Sequence, residues 1–68
     1  MNDPRHTARN LIEQQAVSLD RLWVWYWAEG GNAPTFEFDA FLHEALLLHP
    51  FDLKILTWAL EDLDASAR

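Results

Sequence analysis

The sequence contains no cysteine. Disulfides, thiolate metal sites and thiol nucleophiles are therefore excluded. Glycine is nearly absent, and both copies stand together at Gly30-Gly31. Lysine occurs once, at Lys54. No run without a charged side chain approaches the roughly 20 residues that span a bilayer. The opening Met-Asn-Asp-Pro-Arg-His is polar, so no secretory signal is expected and a cytoplasmic location is the expectation.

What is present is apolar and acidic. Half of the 68 residues are hydrophobic, which argues against disorder. A chain this short forms one domain with a thin stability margin. The net charge is −6 and uneven. In residues 1–21, Arg5, Arg9 and Arg21 balance Asp3, Glu13 and Asp20. All of the excess lies beyond, where Lys54 and Arg68 face eight carboxylates. That part is repelled by phosphate and anionic lipid and is better matched to a basic partner.

Two breaks punctuate the chain, Gly30-Gly31-Asn32-Ala33-Pro34 and His49-Pro50. They leave three segments and predict an all-α, three-helix domain over about 4–29, 36–48 and 50–64. The ends, 1–5 and 65–68, are expected to be mobile. Asp3-Pro4 suits the N-cap and first position of the first helix, and Gly30 its end. Ala8, Leu11, Ile12, Leu19, Leu22, Trp23 and Tyr26 share one helical face. Thr35 is the expected cap of the second helix, whose Phe38, Phe41, Leu42 and Ala45 align. Leu53, Leu56, Leu60 and Leu63 give the third a 3-4-3 apolar spacing.

The densest feature is Trp23-Val24-Trp25-Tyr26-Trp27. The helical period runs into it from Leu11, which favours helix over strand. Trp23 and Tyr26 extend the core face and Trp27 marks its margin. Trp25 points away from that face. The other helices repeat this excess. Second stripes read Val17, Val24 and Trp25; Phe36, Ala40 and Leu47; and Phe51, Ile55 and Trp58. A small three-helix domain has one interior, so helices apolar on two sides suggest burial in an assembly.

Catalytic chemistry finds little support. Residues 43–49 read HEALLLH, but a zinc-protease helix needs HExxH. His43 and His49 are six apart, about 240° around a helix, and cannot grip one ion. His43 is expected to pair with Asp39, and His49 to end its helix. Ser18 falls in mid-helix. Gly30-Gly31 lacks the GK[ST] of a phosphate loop. A groove-reading helix at 50–64 would carry one lysine against four acids, the wrong sign for DNA. No enzyme, cofactor or metal site is expected.

The expectation is thus a protein-interaction or regulatory module, itself a homo-oligomer (most simply a dimer) or the binder of a protein partner. Its candidate interface residues are Val17, Val24, Trp25, Phe36, Leu47, Phe51, Ile55 and Trp58. The alternative is an acidic decoy or neutraliser that occupies a basic site through Glu37, Glu44, Glu61, Asp62 and Asp64. Neither nucleic acid nor membrane is an expected partner.

Overall fold

A computed structural model describes residues 3–66. Among these the chain forms four helices and no strand: α1 (Pro4–Glu13), α2 (Leu19–Ala28), α3 (Thr35–Leu42) and α4 (Phe51–Ser66). The fold is all-helical, but the expected first helix is two helices and the expected second stops six residues early. Asp3, Pro4 and Arg5 build the start of α1, and Ala65 and Ser66 lie at or beside the end of α4. The rest of the expected mobile ends, Met1, Asn2, Ala67 and Arg68, lies outside the described residues.

Each helix start has a local cause. Asp3 caps α1, its carboxylate accepting the Arg5 backbone N–H at 2.9 Å. The Arg5 side chain returns to the same carboxylate, with Nε 3.0 Å from Oδ1. This hydrogen bond holds the Asp3 carboxyl below its ordinary value, burial partly opposing it. Pro4 fills the first position, where a missing N–H costs nothing. Ser18, expected in mid-helix, instead caps α2 by accepting the Arg21 N–H at 3.1 Å. Pro34, not Thr35, is the cap residue of α3, without a side-chain bond. His49, expected to end a helix, precedes α4 and accepts the Phe51 N–H on Nδ1 at 3.1 Å.

The helix ends share one device. In α1 the Ala16 N–H reaches back to the Leu11 carbonyl at 2.9 Å and the Gln15 N–H to Ile12 at 3.0 Å. In α2 the Gly31 N–H bonds Tyr26 at 3.0 Å and the Gly30 N–H bonds Trp27 at 3.1 Å. In α3 the Ala45 N–H bonds Ala40 at 2.9 Å and the Glu44 N–H bonds Phe41 at 3.0 Å. These crossed pairs are Schellman closures, which need a left-handed residue after the cap. Gly30 supplies it at φ 111°, but Gln15 and Glu44 supply it at φ 60° and 62°. A side chain in that region is disfavoured.

α1 and α2 each pack on both α3 and α4. The core between them comprises Ala8, Val17, Leu22, Tyr26, Ala33, Phe38, Phe41, Leu42, Ile55, Leu56 and Ala59. Leu11, Ile12, Leu19 and Trp23 pack against it, so the predicted inward face of the first segment survives the break in its helix. On α4 the inward face is turned from the leucine spacing toward Ile55 and Ala59. Leu53, Leu60 and Leu63 are left half-buried beside Leu56. Arg9 ties α1 to the end of α3: its Nη1 donates to the Leu42 carbonyl at 2.6 Å and lies 2.8 Å from Glu44 Oε2.

Gly31 lies against Tyr26 so closely that a Cβ there would stand 2.6 Å from ring atom Cε1. The Tyr26 ring is fully buried and has no room to yield. Gly31→Ala is expected to destabilise the fold by about 1–3 kcal/mol, the usual cost of overpacking. Gln15→Gly is expected to stabilise it by about 1 kcal/mol, because the left-handed penalty disappears. Urea denaturation of both variants measures the two signs, and a Gln15→Gly midpoint below wild type contradicts the strain assignment.

Candidate interaction surface

The aromatic stretch divides between interior and surface. Tyr26 is wholly buried and stacks on Phe38, with centroids 4.6 Å apart. Its hydroxyl donates to Asp52 Oδ1 at 2.8 Å and accepts the Ala33 N–H at 3.3 Å. Burial pushes this hydroxyl above the ordinary tyrosine range, and the adjacent Asp52 carboxylate pushes it further. Trp23 Nε1 donates to the Ala33 carbonyl at 2.8 Å. Loop 30–34 is thereby pinned to α2 from both sides of Ala33.

The pinned loop forms one wall of a hollow of about 170 Å³, lined by Tyr26, Asn32, Ala33, Glu37, Leu48 and Asp52. Two carboxylates, a tyrosine and a leucine meet there, and among the described residues no basic side chain lines it. Three of the exposed apolar residues immediately precede lining residues in sequence: Phe36 before Glu37, Leu47 before Leu48, Phe51 before Asp52. Leu47 is 84% exposed and Phe36 74%. Phe51 meets Trp58 edge-on at 5.6 Å, and both remain exposed.

Of the eight candidate interface residues, Val24, Phe36, Leu47, Phe51 and Trp58 are exposed. Val17 and Ile55 are not available to a partner: both are buried in the core. The turn after α1 carries Val17 inward, off the helical azimuth that placed it outside. Trp25 is half-buried and packs against the core, so it is not the outlying residue its spacing suggested. Trp27 was missed. It is 61% exposed and stacks on Trp23 at 6.4 Å. The i, i+4 spacing of these two tryptophans was the available signal.

The five candidate acidic residues do not lie together. Glu37 lines the hollow. Glu44 lies 2.8 Å from Arg9 and 3.7 Å from Arg5, in the network that closes α3. Glu61 and Asp64 line a separate groove between α1 and α4. Asp62 stands beside Glu29 of the α2 C-cap. Asp52, absent from the predicted set, is the second carboxylate of the hollow. His43 pairs locally with Asp39, as its spacing indicated: Nδ1 is 3.0 Å from the Asp39 carbonyl and 3.4 Å from Oδ1. Among the described residues no three histidine or carboxylate side chains converge on a possible ion site, and no helix is long and apolar enough to cross a membrane.

The Glu29–Asp62 contact gives a pH signature. The hydrogen bond that the protonated Glu29 carboxyl donates to Asp62 raises it above its ordinary value near 4.5, and burial and repulsion act the same way. Protonated Glu29 therefore favours the fold. That contribution is complete below the ordinary value and is lost as pH rises through the raised one. Glu29→Gln is expected to melt above wild type at about pH 7 and to lose that advantage at about pH 4. Thermal melts at the two pH values check this, and an identical difference at both contradicts it. No protein-family model matches the chain, no curated protein matches its sequence, and no solved structure matches its fold.

Proposed function

We propose that the chain is a protein-interaction module. Its proposed binding surface comprises the exposed Phe36, Leu47, Phe51 and Trp58, three of which adjoin in sequence the residues that line the acidic hollow of Glu37 and Asp52. The carrying observation is the exposure of Phe36 and Leu47 on a domain whose core is closed without them. Covering a large aliphatic or aromatic side chain is worth about 1.5–3 kcal/mol. Aromatic residues ringed by less apolar ones are the usual anchors of interfaces. The hollow adds direction, because its two carboxylates favour an arginine or lysine set among apolar neighbours. Binding and assembly, not catalysis, are its proposed activity, with the cytoplasm as its proposed setting.

A second copy of the chain is the other proposed occupant, closing the same surface in a homodimer. The net charge of −6 on each copy opposes that contact and favours a basic partner. The acidic-decoy reading has less support. Glu44 is held by two arginines, and Glu37 of α3 lines a different hollow from Glu61 and Asp64 near the end of α4.

Phe36→Ser with Leu47→Ser alters only exposed side chains and leaves the core intact. Proteins captured from a lysate of the source cells are expected to bind wild type at least ten-fold more tightly than this variant, and less tightly as salt rises. Sedimentation velocity of both proteins follows the homodimer: a wild-type dimer that the variant abolishes assigns the surface to self-association. Equal capture by variant and wild type, together with equal sedimentation, overturns the proposal.

A further inference from the structure

The outer face of α2 is left unused by the aromatic surface. Five of the ten α2 residues are exposed: Asp20, Arg21, Val24, Trp27 and Ala28. At 100° per residue they fall within about 120° of the helix circumference, with Val24 at the centre. Val24 is 54% exposed and Trp27 61%. Trp23 stacks on Trp27 at 6.4 Å and steadies the ring from one side. The face is apolar along its middle, and its two charges, Asp20 and Arg21, cancel. The chain as a whole carries −6.

We infer that this face binds the same face of a second copy, as an antiparallel α2 pair about a two-fold axis at Val24. The inference goes beyond the aromatic surface and does not rest on it. In a closed two-fold contact each surface must complement itself. An axis at Val24 sets residue 20 level with residue 28 of the other copy, and residue 21 level with residue 27. Asp20 and Arg21 of each copy then meet the partner's Trp27 and Ala28. The Arg21 guanidinium packs on the partner's Trp27 ring, a cation over an aromatic face. The Asp20 carboxylate accepts the N–H of the same indole. Ala28 has no side chain beyond Cβ, so the two backbones approach closely beside it. A parallel pair would oppose Asp20 to Asp20 and Arg21 to Arg21, which like-charge repulsion disfavours. Charge also selects the occupant. Two copies at −6 repel across their acidic surfaces, whereas this face brings no net charge to the contact. A basic partner gains nothing from it, because Arg21 offsets Asp20. Ten residues of helix run about 15 Å, so the contact is small and the dimer is weak, with a Kd of about 100 µM.

Sedimentation equilibrium of the full chain, from about 10 µM to about 1 mM, is expected to show a monomer–dimer equilibrium. Val24→Glu sets two carboxylates on the axis and is expected to weaken the dimer at least ten-fold. The helical signal is expected to stay unchanged, because Val24 is exposed. Trp27→Ala is expected to weaken the dimer likewise. The chain has no cysteine, so Val24→Cys introduces a single thiol. Its oxidation is expected to cross-link two copies at least ten-fold faster than that of Leu47→Cys, on the aromatic surface. A wild type that stays monomeric over the whole range overturns the inference. So does a dimer that Val24→Glu leaves intact, a dimer that only Phe36→Ser with Leu47→Ser abolishes, or cross-linking at Val24 no faster than at Leu47. A dimer lost in Val24→Glu while no basic partner is captured supports this inference and counts against the aromatic surface alone.

Discussion

The Tyr26 side chain is where most of the chain meets. Its ring stacks on Phe38 of α3, and its hydroxyl donates to Asp52 at the start of α4. The same oxygen accepts from Ala33 in the loop, and the Gly31 backbone lies against the ring. A buried phenol needs a hydrogen-bond partner, and here the partner comes from a helix distant in sequence. Satisfying one hydroxyl therefore fixes where α4 begins relative to α2. It also shapes the acidic hollow, because Tyr26 and Asp52 are two of its walls. The Arg9 network does the corresponding work for α1, linking it to the end of α3 through the Leu42 carbonyl and Glu44.

Much of the interior was legible from periodicity, whereas the helix boundaries were not. Leu11, Ile12, Leu19, Leu22 and Tyr26 keep a helical phase across a real break, because α1 and α2 turn their apolar faces to the same core. Periodicity records which side chains are inside. It does not record whether the backbone between them stays helical. Gly30 announced the one Schellman closure that uses glycine. The closures at Gln15 and Glu44 place ordinary side chains in the left-handed region, at a local cost that surrounding packing offsets. Ser18 was the signal for a new helix, since a serine oxygen caps well and competes with helix in mid-segment.

The same misreading explains the changes at the surface. Val17 lies in the turn ahead of α2 and faces inward, so its helical azimuth carried no information. Leu47, placed by period on a helix stripe, sits in the connection between α3 and α4. Its exposure was anticipated by the wrong element. A connection that reads Ala45-Leu46-Leu47-Leu48 is unusually apolar, since loops run over the surface in contact with water. Leu46 and Leu48 turn partly inward and Leu47 cannot follow them. The charge pattern was more misleading still: a seven-residue spacing puts Glu37 and Glu44 on one face of the expected second helix, while the fold assigns one to the hollow and the other to an ion-pair network.

A domain of this size has little stability to spare, so its exposed apolar groups need a physical justification. They contribute nothing to the isolated core, and water around them favours association. Any ligand that covers them binds the folded state and not the unfolded chain, which stabilises the domain by mass action. The acidic hollow limits which ligands do so. Its carboxylates add a desolvation cost for a purely apolar partner and offer compensation to a cationic one. On the proposed function, selectivity would rest on the position of Asp52, which the buried Tyr26 hydroxyl holds at the first turn of α4. One hydrogen bond in this way ties the packing of α2 on α4 to the charge of the proposed binding surface.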